Sequence, residues 1–137
     1  MSRLVIQSES PPQAVFSTPF ASGGAESPWA GGVDGSFAPA FEVWETERTL
    51  VIRADVPGVK PEDLSLFLED SRVTICGRRK QDDLRLSLRC RAYERTYGAF
   101  WRSFRMSPMH RATRARASLV LGVLTVVVHQ SPALEPS

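Results

Sequence analysis

Side chains capable of covalent or metal chemistry are scarce in this chain. His110 and His129 are its two histidines, and Cys76 and Cys90 its two cysteines, in 137 residues. A zinc site gathers its ligands at short, repeated spacings, and neither histidine has a cysteine or carboxylate beside it in that arrangement. Serine, histidine and aspartate all occur, but no serine sits in a nucleophile-elbow motif. No Gly-x-x-x-x-Gly-Lys phosphate loop is present, and no Gly-x-Gly-x-x-Gly follows a strand. The expectation is a protein that is not an enzyme, with no metal and no cofactor. What it does must rest on non-covalent contacts made by apolar and charged side chains.

Those side chains are unevenly distributed. The formal charge of +2, with 42% hydrophobic and 23% charged residues, is that of an ordinary globular protein. It argues against a nucleic-acid binder that depends on overwhelming positive charge. Yet Glu42 to Asp70 holds eight acidic residues and three basic ones, whereas Arg72 to Arg116 holds 13 basic and three acidic. The small total is a cancellation between an acidic half and a basic half. Residues 1–39 differ again, with five glycines, five prolines and few charges. Such a segment gains too little from burial to offset its ordering entropy. It reads as a flexible arm carrying Phe16, Phe20, Trp29 and Phe37, either as adaptable contacts or as side chains packed on their own domain.

No leader or membrane anchor is expected. Leu4-Val5-Ile6 is far too short for a signal-peptide core. The longest apolar run, Leu119 to Val128, is about half of what a spanning helix needs. A cytoplasmic chain with free thiols follows, since two cysteines cannot make a disulfide scaffold.

From Phe41 onward the pattern is that of short strands. Leu50, Ile52 and Ala54 alternate with Val51, Arg53 and Asp55 until Pro57-Gly58 and Pro61 interrupt them. Leu64, Leu66 and Leu68 share one face, opposite Ser65, Phe67 and Glu69. Leu84, Leu86, Leu88, Cys90 and Ala92 form the cleanest alternating row, and Leu124, Val126 and Val128 follow a turn at Gly122. A helix would scatter these residues around its circumference; a strand aligns them. Seven or eight short strands with turn residues between them predict an all-β, immunoglobulin-like antiparallel β-sandwich. The organisation expected is an arm at 1–39, a domain at 40–129 and a short tail at 130–137.

Three segments together resemble the α-crystallin domain of bacterial-type small heat-shock proteins. The first is Phe41-Glu42-Val43-Trp44-Glu45-Thr46, with Ala54-Asp55-Val56-Pro57-Gly58-Val59 and Glu62-Asp63-Leu64 after it. The second runs from Tyr93-Glu94-Arg95-Thr96-Tyr97-Gly98 to Phe104 and is similar to the family's Glu-Arg-x-Tyr-Gly-x-Phe-x-Arg-x-Phe motif. The third, Ala117 with Gly122-Val123-Leu124-Thr125, is similar to its closing hairpin. The resemblance implies an ATP-independent holdase that binds unfolded or partly folded client proteins, and a homodimer that can build larger homo-oligomers. It implies that the row containing Leu84, Leu86 and Leu88 is exchanged between subunits, with Glu94, Arg95 and Arg102 as dimer contacts. It also places a client groove between Leu64, Leu66 and Leu68 on one side and the strand carrying Leu119 on the other.

The chain departs from the family pattern in several places. The usual C-terminal Ile-x-Ile/Val motif is missing from the residues after His129. Leu4-Val5-Ile6 has a similar apolar-x-apolar spacing and is a candidate occupant of the same groove. The turn Leu119-Val120-Leu121-Gly122 is unusually greasy. Two other function classes compete with the holdase. Arg78, Arg79, Lys80, Arg85, Arg89 and Arg91 would suit a module binding nucleic acid or an anionic surface, though charge complementarity between subunits accounts for them better. A co-chaperone scaffold that holds no clients is the third.

Overall fold

The computed structural model describes residues 2–3, 6–7, 18–19, 29–69, 71–81 and 88–132. Among these, the strands are β1 (Ser2–Arg3), β2 (Ile6–Gln7), β3 (Thr18–Pro19), β4 (Trp29–Gly35), β5 (Phe41–Glu45), β6 (Thr49–Asp55), β7 (Leu64–Leu68), β8 (Arg72–Arg79), β9 (Gly98–Arg105), β10 (His110–Val120) and β11 (Val123–Pro132). A single 3-10 turn, Pro61–Asp63, precedes β7, and the described residues contain no α-helix. The strands form two sheets, ordered β1-β10-β11-β6-β5 and β2-β7-β8-β9-β4-β3. All pairings are antiparallel except β2 with β7. The expected β-sandwich is therefore the fold.

The alternating rows explain which faces meet. Leu50, Ile52 and Ala54 of β6 and Leu124, Val126 and Val128 of β11 are all buried from one sheet. Leu64 and Leu66 of β7, Val73 and Ile75 of β8 and Phe100 of β9 meet them from the other. The β10–β11 hairpin closes through Leu121 and Gly122, both at positive φ (51° and 77°). Two left-handed residues are what a two-residue type I′ connection requires. A leucine there costs about 1–2 kcal/mol relative to glycine, and Leu121 is 98% exposed.

Two expected boundaries need correction. Residues 29–39 are not part of an arm: β4 pairs with β9 along its whole length, from Trp29↔Phe104 to Gly35↔Gly98. Val33 and Phe37 are buried in the core. The glycines at 31, 32 and 35 hide this strand, because they leave almost no side-chain alternation to read. At the other end, β11 continues through Gln130 to Pro132. Gln130 is buried on the same face as Val128, which a polar residue tolerates only with partners. Its backbone N–H donates to the Arg48 carbonyl (2.9 Å), and its side-chain amide donates to Glu45 Oε1 and the Thr46 carbonyl, both at 3.0 Å.

The β4–β9 junction is unusually close. Gly35 and Gly98 are register partners with φ of 111° and 130°. A Cβ on Gly98 would overlap the Asp34 carbonyl oxygen, and one on Gly35 would lie 2.6 Å from the Tyr97 carbonyl oxygen. That same carbonyl accepts the N–H groups of Ser36 and Phe37 at 3.0 and 3.2 Å, directing Phe37 inward. Gly98→Ala is therefore expected to cost about 2 kcal/mol or more through clash and positive-φ strain. Urea denaturation checks this, and an unchanged midpoint would contradict the close approach.

Candidate functional site

Two regions of the sandwich gather the predicted interaction residues. The first is the side where β10 and β7 lie next to the outermost strands of the two sheets, β1 and β2. Leu64 and Leu66 point into the core and are buried, while Leu68 and Leu119 are half-buried and pack against it. The outermost pairings here are short: Ser2↔Leu119 and Arg3↔Ser118 on β10, and Ile6↔Leu66 and Gln7↔Phe67 on β7. Leu4 and Val5, between them, lie outside the described residues. Of the segment suspected of a groove contact, Ile6 alone falls within the described residues, in register with Leu66.

The second region is the irregular stretch 88–97 that leads into β9. Leu88 is 61% exposed, and Glu94 and Arg95 are exposed close by. With Gln81, Cys90, Tyr93 and Tyr97 they line a concavity of about 410 Å³. Leu84 and Leu86 fall outside the described residues. Arg102 is elsewhere: it lies half-buried between the sheets, its guanidinium 4.8 Å from the Phe41 ring centroid. Burial there lowers its pKa from the ordinary guanidinium value. Of the aromatic candidates, Phe16 and Phe20 lie outside the described residues and the backbone of Trp29 opens β4. Phe37 is no exposed contact, for it is 5% exposed and packs edge-on to Phe100.

Arg79 is the residue that sequence reasoning misplaced. Read as part of a basic face, it instead ties three segments together. Its Nε donates to the Thr96 carbonyl (2.7 Å), one terminal nitrogen to Thr96 Oγ1 (2.8 Å) and the other to the Pro57 carbonyl (3.0 Å). Its guanidinium also lies 4.1 Å from the Phe37 ring centroid. Lys80 pairs with Asp63 at 2.9 Å, a basic residue answered by the acidic half of the same chain. A second omission is a polar pair on the outward face: Thr74 Oγ1 and Ser103 Oγ lie 3.1 Å apart, both buried. Phe67 is buried although it alternates with the inward leucines. An aromatic flanked by Ser65 and Glu69 was the available signal that this outer face is covered.

No group of three or more His, Cys, Asp or Glu side chains converges at metal-ligand spacing among the described residues. No helix of the described residues is long and apolar enough to cross a membrane. Residues 42–137 match the model of the Hsp20/alpha crystallin family. The chain belongs to that family. Small heat-shock proteins are chaperones of the stress response, so the chain's general role is a chaperone's. Among its relatives, spore protein SP21 of Stigmatella aurantiaca is 37% identical over 114 residues, covering 82% of this chain and 68% of that protein. A small heat-shock protein of Xylella fastidiosa has a similar structure, with a TM-score of 0.61, 28% identity and coverage of 74% of this chain and 93% of its own. Heat shock protein 16.0 of Schizosaccharomyces pombe superposes with a TM-score of 0.60 at 26% identity, covering 74% and 96%.

Two outcomes follow from this geometry. Arg79→Ala removes three hydrogen bonds and a cation–π contact at a half-buried site, for an expected loss of about 2–3 kcal/mol. Arg79→Lys recovers little, because an ammonium cannot span the Pro57 and Thr96 acceptors as a planar fork does. Urea denaturation of the two variants checks both statements. The thiols should separate as well. Burial pushes the Cys76 thiol up to about 11 from 9.0, so it remains protonated and unreactive at pH 8. Cys90 is exposed. Native-state alkylation followed by mass spectrometry should modify Cys90 first, and Cys76 only in denaturant. The raised value also means that the stability contributed by the neutral Cys76 is intact below pH 9 and declines as the pH rises towards 11.

Proposed function

We propose that the chain is an ATP-independent holdase that binds partly unfolded proteins and keeps them from aggregating. The observation that carries this reading is the side of the sandwich where β7 and β10, each covered by only a two-residue strand, border the apolar core. Unfolded chains expose apolar side chains and unpaired backbone together, and a strand added at such an edge satisfies both. The greasy hairpin tip, with Val120 and Leu121 exposed, adds apolar surface beside β10. Family membership supports a chaperone, and the pairing of two sheet edges with short segments gives that role a physical basis.

A homodimer in the cytoplasm is the form we assign to it. The 88–97 stretch, with Leu88, Glu94 and Arg95 exposed, supplies a surface suited to a second copy, and Leu84 and Leu86 would extend it. Arg102 would then act from between the sheets, holding the Phe41 edge. The nucleic-acid alternative is weakened by the internal use of Arg79, which removes one guanidinium from the basic face that the sequence suggests.

Warming a heat-labile enzyme with and without the protein tests the reading. Light scattering should fall progressively as the chaperone approaches equimolar amounts, without ATP. Undiminished scattering at stoichiometric protein would leave a scaffold that holds no clients.

A further inference from the structure

The chain has two lysines, Lys60 and Lys80, and the fold brings both to one concavity. It measures about 350 Å³, and Gly58, Asp63, Arg79 and Arg95 line it with them. Four cations thus face one carboxylate, and that carboxylate is already engaged. Asp63, its side chain only 10% exposed, holds Lys80 Nζ at 2.9 Å. Arg79 directs its N–H groups to the neutral acceptors of Pro57 and Thr96. Arg95 is drawn up beside it, and the two guanidinium groups lie 5.3 Å (Arg95) and 5.8 Å (Arg79) from the same Tyr97 ring centroid. Gly58 permits this approach, since a Cβ there would lie 3.4 Å from Arg79 Cδ and 3.7 Å from a terminal nitrogen of Arg95. The Tyr97 ring eases each cation, but like charges gathered at a partly buried site repel one another. Among the described residues, no carboxylate forms an ion pair with Lys60, Arg79 or Arg95.

We propose that this concavity is a binding site for a small phosphoryl anion of the pyrophosphate type. Lys60, Lys80 and Arg95 are its contacts, and all three are exposed at the mouth. The planar guanidinium of Arg95 takes two oxygens of one phosphoryl group side by side. The two ammonium groups act as point charges on the remaining oxygens. Arg79, its N–H groups already engaged, forms the fixed back wall and donates nothing to the ligand. Concave walls of low dielectric focus the positive potential on the space between these residues. A compact, multiply charged anion placed there offsets cations that the chain's own carboxylates leave unbalanced. The site uses no residue of β7 or β10, so it is independent of the holdase reading.

Calorimetric titration of the full chain with inorganic pyrophosphate tests the site. Saturable binding is expected at low salt, weakening as salt is added. Lys60→Gln combined with Arg95→Gln should reduce affinity about tenfold or more, and both residues are exposed, so the fold is kept. Arg111→Gln combined with Arg114→Gln removes the same charge from exposed positions on β10 and should leave affinity within about twofold. Sulfate at equal ionic strength should bind about tenfold more weakly, because it carries less charge. Equal losses in the two double variants would overturn the proposal, leaving only the chain's general charge. Absence of saturable binding would overturn it too, as would sulfate binding as tightly as pyrophosphate. Two further arms distinguish other claimants to these cations. Phosphatidylglycerol vesicles should not carry the protein on flotation; vesicle binding that needs Lys60 and Arg95, without pyrophosphate binding, would assign the concavity to a lipid headgroup and sink the proposal. Sedimentation should show the same assembly with and without the Lys60 and Arg95 substitutions. Dissociation of the double variant, again without pyrophosphate binding, would assign these cations to a carboxylate on a second copy of the chain and sink it equally.

Discussion

Phe100 is seated where four segments of the chain meet, and the rest of the architecture depends on that seat. It pairs in register with Gly77 on one side and Val33 on the other. A Cβ on Gly77 would lie 2.6 Å from its ring, so the ring occupies the space that a side chain at 77 would need. Phe37 and Phe41 meet the same ring edge-on, with centroids 5.8 and 6.1 Å away, in the geometry that aromatic quadrupoles favour. Phe37 in turn supports the Arg79 guanidinium, and Arg79 holds Thr96 at the end of the 88–97 stretch. The exposed 88–97 stretch is therefore anchored, through one arginine and one phenylalanine, to the centre of the core.

How much of this was legible depended on whether a side chain announced its face. Leu50, Ile52 and Ala54, like Leu124, Val126 and Val128, alternate cleanly because each lies on a strand with only one buried face. Strand β4 gives no such signal: three of its seven residues are glycines, and its place in the sheet comes from backbone pairing alone. Arg78-Arg79-Lys80 reads as one basic cluster, yet successive strand residues point to opposite sides. Arg78 is exposed, while Arg79 is drawn inward by acceptors on Pro57 and Thr96 that only the folded chain brings within reach. For Leu64, Leu66 and Leu68 the shared face was readable, but not that it would be the core side, nor that Phe67 on the reverse would also be buried. Burial of both faces depends on tertiary neighbours that no local period encodes.

The charge asymmetry acts partly within one chain. Lys80 reaches Asp63 across the start of β7, and Arg53 approaches Glu42 on the neighbouring strand at 3.8 Å. The second pair is about half exposed on both sides, where an ion pair contributes little. The Lys80–Asp63 pair is a point at which the basic and acidic stretches meet. Arg79, held by the Pro57 and Thr96 acceptors, cannot also neutralise a phosphate, whereas Arg78, Lys80, Arg89 and Arg91 remain exposed.

Edge protection connects the core to the function. An open β-sandwich presents unpaired backbone at its sheet edges, and a soluble domain must cover these edges or make them unattractive. Here β9 has β4 alongside it over seven register pairs, a full-length pairing anchored by the Gly35–Gly98 contact. The β7 and β10 edges instead have two pairs each. The difference in pairing length is a difference in how readily each edge opens, because net stabilisation of about 0.5–1.5 kcal/mol per hydrogen bond accumulates along a ladder. On the proposed holdase reading, β7 and β10, with two outer pairs each, are strands at which a client strand meets little competition, beside the buried Leu64 and Leu66 of β7.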